Sequence, residues 1–431
     1  MKTRLTSLVP LLVFAVLVSA CTSREADAPP AAEPSEETPT KLVLKGPVHH
    51  LDGLGREPML VEHPDGTLFV SGYESQVRGT DPRLTPKLWK SDDGGESWSL
   101  VPVGTAEEGA AGNSDVDLAV APDGTLYFVV MGFNRTTGEG THVAMGVSHD
   151  VGATWTWTSL SETRFDDRPW VEVAPDGTAH AVWNDGEGVS HAASTDAGRS
   201  WAERPKVHRA GGSSHMAIGP AGEIAVRVTP LSASGSRFDE GEDRIVVSTD
   251  GGHRWKAHPA PGTREWPSSF QDMATKLPRW VEPVAWDSDG ALYHLWSEGR
   301  EVVLGRSVDQ GATWTRWSVA RDAEVAYFPY LVARGSGELA ATWFSGQGES
   351  LSVQVALIQV PRVDSDALTV VRSESFQPDS WLESKDSPGR TPAGEYVPIA
   401  FLSGGGLAVV TPVQDARGDR FGFSWWTLEA R

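Results

Sequence analysis

Short apolar runs recur along most of the chain, paired around turns built on glycine. Met59, Leu60 and Val61 lead into Pro64-Asp65-Gly66-Thr67 and then into Leu68, Phe69 and Val70. The same order of apolar strand, turn and apolar strand returns at Asp123-Gly124, Asp176-Gly177, Ala221-Gly222, Asp289-Gly290, Ser336-Gly337 and, in degenerate form, 403–405, seven copies in all. An Asp-Gly pair between such runs marks a hairpin, because Gly tolerates positive φ and Asp bonds its own backbone. Between the hairpins lies a second motif, Ser-x-Asp-x-Gly-x-(Thr/Ser)-Trp, at 91–98, 148–155, 194–201, 248–255 (with Arg254 at the Thr position) and 307–314. These five copies start 46 to 59 residues apart.

Each unit therefore reads strand, Asp-Gly turn, strand, loop, strand, Asp-rich turn, strand. Four short antiparallel strands at that period form a β-propeller blade. The expected fold class is all-β, a propeller of four-stranded antiparallel blades over 41–431: seven by the turn count, six if the last unit packs as an appendage. That last unit supplies strands at 396–400, 407–413 and 421–428 and lacks a fourth. The segment 42–45 from the N-terminal side supplies it, closing the ring and leaving no edge exposed.

Composition agrees with this architecture: 45 Gly, 29 Pro and 18 Trp in 431 residues suit many short strands and tight turns. A formal charge of −21 repels phosphate backbones and anionic headgroups, which argues against nucleic acid as a partner. An anionic ligand would need a local basic pocket. The single Cys excludes a disulfide framework and a thiolate zinc cluster.

At the start, Lys2 and Arg4 precede an apolar run at 8–18 and small residues ending at Cys21. The run is too short to span a bilayer and sits where a secretory signal should. Val18-Ser19-Ala20-Cys21 resembles a bacterial lipobox, which implies a signal peptide at 1–20 and lipidation of Cys21. Residues 21–40 are acidic and Pro/Ala-rich with no aromatic residue, the composition of a disordered tether. The expected location is the bacterial cell envelope, lipid-anchored and extracytoplasmic. Thr22, rather than Asp, favours the outer membrane if the cell is Gram-negative. Membrane contact runs through the anchor alone.

The Ser-x-Asp-x-Gly-x-Thr-Trp turn resembles the Asp box, or bacterial neuraminidase repeat, of the sialidase superfamily, and it covers the first five units. In that superfamily the box lies at the blade periphery and serves structure, so chemistry is sought where the innermost strands begin, around the central axis. The residues there are Arg56-Glu57-Pro58, Ser114-Asp115, Asp167-Arg168-Pro169, Ser213-Ser214-His215, Arg279-Trp280, Tyr327-Phe328-Pro329 and Glu395-Tyr396. Asp115, Asp167, Arg168, His215, Arg279 and Tyr327, with Arg227 at the end of a second strand, are the candidate substrate contacts.

Gly55-Arg56-Glu57-Pro58 is similar to the Arg-Ile-Pro start of a sialidase first blade, with Glu57 in place of Ile. The resemblance implies that Arg56 grips a substrate carboxylate by two parallel hydrogen bonds. It further implies that Asp81, in the following loop, is the acid/base and that Tyr396, with Glu395 beside it, is the nucleophile. On a strand, Glu395 and Tyr396 should face opposite sides. Arg227, Arg279 and Arg306 are loose candidates to complete a carboxylate clamp. Plainer readings stand beside these: Arg56 paired with Glu57 or Asp115, Asp81 bonded to Arg78 or Arg83, and Tyr396 lining the channel. His49-His50 lacks metal-ligand spacing, and no phosphate loop or nucleophile elbow is present; no metal or cofactor is expected. The functional expectation is a monomeric, sialidase-like lipoprotein of the exo-α-sialidase type acting on a glycan or glycoconjugate. The alternative is a non-catalytic propeller that binds a glycan, peptide or partner protein or serves as an assembly scaffold.

Overall fold

The computed structural model describes residues 41–74, 84–230, 243–262, 281–298, 300–321, 325–347, 350–362, 367–372, 394–414 and 421–431. Residues 1–40, with Cys21, and the candidates Asp81 and Arg279 lie outside the described residues. Apart from one 3₁₀ turn at Ala106–Glu108, the described elements are strands, gathered into seven antiparallel sheets. Blade 1 is typical, running inside to outside through Arg56–Glu62, Leu68–Tyr73, Lys87–Ser91 and Ser99–Leu100. The innermost strands of the following blades are Ser114–Val120, Asp167–Val173, Gly212–Ile218, Val284–Trp286, Val325–Arg334 and Ile399–Phe401. Each contacts the innermost strands on either side, and the seventh contacts the first. The fold is a seven-bladed β-propeller, and the six-bladed alternative falls.

The ring closes as the missing strand requires. Leu42–Leu44 pairs antiparallel with Phe421–Ala430, Leu42 opposite Ala430. Lys41 and Arg431 exchange backbone hydrogen bonds of 3.1 and 2.9 Å at the end of that ladder. The same strand then accepts His49–Leu51 further along, a second pairing that the sequence pattern did not reveal. Every Asp-Gly type turn carries its glycine at positive φ, from Gly66 at 91° to Gly405 at 86°.

The Ser-x-Asp turns behave as structural staples. In the first, the buried Ser91 hydroxyl donates to Asp93 Oδ1 (2.8 Å) and accepts from Gly95 N–H (2.9 Å), while Asp93 accepts from both the N–H and the hydroxyl of Ser97. Those bonds, led by the Ser97 hydroxyl, hold the Asp93 carboxyl down to about 2. The set recurs around Asp150, Asp196, Asp250 and Asp309. Carboxylates committed to turn amides are not available for chemistry, so the carboxylates of these turns serve the fold.

Gly94 and Gly95 separate strain from packing. Both have positive φ (73° and 95°), but a Cβ on Gly94 meets nothing within 4 Å, whereas one on Gly95 lies 2.2 Å from Trp425 Nε1 in blade 7. Gly94→Ala should cost about 1–2 kcal/mol of backbone strain, and Gly95→Ala roughly 1–3 kcal/mol more through overpacking. Urea denaturation of the two variants checks this; equal losses would show that blades 1 and 7 do not interlock there.

Candidate functional site at the channel mouth

Three innermost strands begin with the same backbone device. Glu57 (φ 52°), Arg168 (φ 47°) and Phe328 (φ 41°) adopt left-handed φ, and each immediately precedes proline. Each also falls inside a register shift against the second strand. Such positions cost about 1–3 kcal/mol apiece and persist only where the surroundings hold them. A bulge re-aims side chains, so consecutive residues can face one side instead of alternating. In blades 1 and 3 both members of the pair turn to the axis: Arg56 with Glu57, and Asp167 with Arg168, interact with the same carboxylates, Asp115 and Glu395.

The result is a polar cluster from blades 1, 2, 3 and 7. Arg168 Nη2 lies 3.6 Å from Glu395 Oε2 and its Nε 3.8 Å from Asp167 Oδ2, so one guanidinium holds two carboxylates. Arg56, Asp115, Asp167, Arg168 and Glu395 all keep partial solvent access, while Glu57, Tyr73 and Tyr396 are buried against them. Burial, joined by the charge of Asp115 and Glu395, pushes the Glu57 carboxyl up to about 8, and Tyr73 hydrogen-bonds it. Burial likewise pushes Asp167 up to about 7, with Arg168 opposing and Asp115 and Glu395 adding to the rise. The Tyr396 phenol goes well above its usual range through burial and then Asp115. Among the described residues, two guanidiniums thus face four carboxyl groups, and burial with like charge raises the proton affinity of two of them, Glu57 and Asp167.

An aromatic layer floors the cluster. Tyr396 meets Trp170 edge-on at 5.7 Å, Trp170 meets His215 at 5.2 Å, and His215 meets Tyr330 at 5.5 Å. The Tyr330 hydroxyl reaches Met59 Sδ at 3.7 Å. Blades 7, 3, 4, 6 and 1 therefore meet across the axis. Burial, then His294, drives His215 down to about 4, so it packs as a neutral ring. The buried indole N–H of Trp170 has no hydrogen-bond partner among the described residues. One alternation further along the channel stand Asp117, pushed to about 7 by burial against two backbone N–H donors, and Glu172, pushed to about 8 by burial and Asp117.

Of the residues expected from sequence, Arg56, Asp115, Asp167, Arg168, Glu395 and Tyr396 come together. The expectation that Glu395 and Tyr396 face apart fails, because both precede the strand, which begins at Ile399, and strand alternation does not apply to them. His215 belongs to the floor. Arg227 is fully buried, its Nη2 at 2.6 Å from Asp243 Oδ1 and 2.7 Å from Glu282 Oε2, so no ligand group reaches it. Arg306 lies on the third strand of blade 5 against Tyr293. Tyr327 sits on the innermost strand of blade 6, opposite Phe344. Sequence reasoning missed Tyr73, Trp170, Asp117 and Glu172 as participants. The period of two from Asp115 to Asp117 was a usable signal; Tyr73, on a second strand, had none.

No protein-family model matches the chain, and no curated protein matches it. Among solved structures it is similar to a protein of unknown function from Dyadobacter fermentans DSM 18053, with TM-score 0.53 and 15% identity over 91% of this chain and 99% of that one. It is also similar to the GH93 α-L-arabinofuranosidase of Fusarium graminearum in complex with arabinobiose, with TM-score 0.50 and 12% identity over 91% and 98%. A PL25 ulvan lyase, bound to a sulfated glucuronyl-rhamnose unit, matches with TM-score 0.50 and 11% identity over 88% and 95%. At these identities the likeness is one of fold.

The raised carboxyls carry a pH signature. Asp167 and Glu57 hold protons in the folded chain that the unfolded chain releases near 3.8 and 4.5. Their contribution to stability is therefore full at low pH and is lost as pH rises through about 7 and 8. Denaturation midpoints should fall between roughly pH 5 and 8, and Asp167→Asn or Glu57→Gln should each flatten that slope. Equal slopes in wild type and both variants would contradict the protonation of this cluster.

Proposed function

We propose that the channel mouth is the active site of a glycoside hydrolase, with Asp167 as the general acid and Glu395 as its carboxylate partner. The observation that carries this is the pair itself. Two carboxyl groups are held by one guanidinium at a solvent-accessible mouth, and the environment of Asp167 keeps a proton on it near neutrality. Glycosidases need that division, one carboxyl protonated to release the leaving oxygen and one ionised to activate water or attack the sugar. Asp115 lies close enough to share the second role. Two neighbours in fold are described with carbohydrate bound, which agrees with a glycan ligand.

The narrower reading, an exo-α-sialidase, draws support from Arg56, Arg168 and Tyr396 standing at one mouth. Charge tells against it. Both guanidiniums already face carboxylates, Arg227 is enclosed elsewhere, and the Tyr396 phenol is pushed away from ionisation. An uncharged sugar fits this balance better than one bearing a carboxylate. On this reading the propeller works outside the cytoplasm, tethered through Cys21.

A panel of fluorogenic glycosides, including an α-L-arabinofuranoside and an α-sialoside, tests the assignment. An uncharged glycoside should be turned over, with activity falling as pH rises through about 7, where Asp167 loses its proton. Asp167→Asn should lower kcat at least about 100-fold, with the denaturation midpoint retained, and Tyr396→Phe should change it little. Turnover of the sialoside alone, abolished by Tyr396→Phe, would establish the sialidase reading instead. No turnover of any glycoside by the folded protein would leave the mouth as a binding site.

A further inference from the structure

A groove of about 330 Å³ lies between the outer strand of blade 2, Thr156–Ser161, and the facing side of blade 3. Trp183, Trp201, Asp185, Glu203, Ser159 and Ser190 contribute to its walls. Trp201 is the last residue of the third Ser-x-Asp turn, and the other four turns show what its indole ordinarily does. Trp98, Trp155 and Trp314 each donate their N–H to a glycine carbonyl of their own turn at 3.1 Å. Trp255 donates to the Pro205 carbonyl at 3.2 Å. Among the described residues, Trp201 alone of the five has no partner for its N–H, which is buried, and the Trp201 side chain lines this groove. Trp183, 5% exposed, is likewise a groove residue whose buried N–H has no partner among the described residues.

We propose that this groove is a second, non-catalytic binding site for a neutral saccharide. Flat indole faces edged by hydroxyls and carboxylate oxygens match a sugar ring, which offers apolar C–H faces and a rim of hydroxyls. The polar wall is nearly spent as charge: Asp185 already accepts from Ser190 Oγ at 2.6 Å and from Lys206 Nζ. That leaves hydroxyls and the exposed Glu203 to meet a sugar's hydroxyl rim, and with no basic side chain in the lining an anionic ligand is disfavoured. The volume stands at the low end of small-molecule pockets, room for about one or two sugar rings. Trp201 is held edge-on against Tyr127 at 6.1 Å, so the platform is set before a ligand arrives. The groove lies at the periphery between blades 2 and 3, built from outer strands, while the mouth is built from innermost ones. It would hold a neighbouring stretch of the glycan, and it does not depend on the mouth being catalytic.

The test is binding without turnover. The full chain is screened on an array of neutral oligosaccharides, and the best-bound di- or trisaccharide is titrated calorimetrically into wild type and variants. Ser159→Tyr, which fills the groove, should weaken binding at least tenfold. Trp201→Phe, which shrinks the aromatic surface lining the groove, and Glu203→Ala, at an exposed position, should each weaken it several-fold. Asp167→Asn, at the mouth, should leave the affinity unchanged. Should Trp201→Phe fail to fold, Ser159→Tyr and Glu203→Ala decide alone. An array with no neutral binder, an affinity indifferent to Ser159→Tyr, or one lost in Asp167→Asn would overturn the proposal. Inactivity in the glycoside panel would not.

Discussion

Everything at the axis depends on the ring closing, and the ring closes through one short backbone ladder. Leu42–Leu44 and His49–Leu51 pair with Phe421–Ala430, so the first residues of the propeller complete its last blade. The chain then runs directly into blade 1, and the two blades interlock through glycine. A Cβ on Gly55 or on Gly72 would lie 2.7 Å from the Phe423 ring. That close approach brings Arg56, from the start of the propeller, to the same mouth as Glu395, from its end. Without closure the blade 7 edge would stand open and the two groups would not meet.

Bringing seven strand ends to one axis concentrates charge, and the molecule handles it in two ways. Where no function calls for solvent access, charge is sealed: Arg227 lies between Asp243 and Glu282 with essentially no exposure. At the mouth the same kinds of groups keep partial access, acidic groups outnumber basic ones among the described residues, and the Glu57 and Asp167 carboxyls bind protons more tightly as a result. The mouth also carries backbone strain, with left-handed Glu57 and Arg168 each ahead of a proline. Sealed charge and relaxed backbone suit stability, whereas accessible, unevenly protonated carboxyls on a strained frame suit acid–base chemistry.

The peripheral turns make the complementary point. Five copies of one turn use nearly the same hydrogen bonds, and their regularity makes a departure informative. Trp201 keeps its place in the repeat, but among the described residues its indole N–H makes no bond where those of the other four do, and that difference is what drew the groove proposal.

The ring of seven sheets decided between the seven and six blades that the amino-acid sequence left open, while the sequence by itself determined the blade and its closing strand. Those rest on local chemistry, in which Asp-Gly turns, Ser-x-Asp turns and two-residue periodicity repeat in register along the chain. It also brought into view most residues of the mouth, because Arg56, Asp115, Asp167, Arg168 and Glu395 are charged where the strands are otherwise apolar. It did not decide their orientation or company. Left-handed bulges ahead of proline, the lead-in that lets Glu395 and Tyr396 face one cluster, and the enclosure of Arg227 all follow from contacts between residues far apart in the chain. Only the tertiary structure decided which carboxyls would keep their protons, because burial and the charge of neighbouring blades set that, and neither is a property of any one segment.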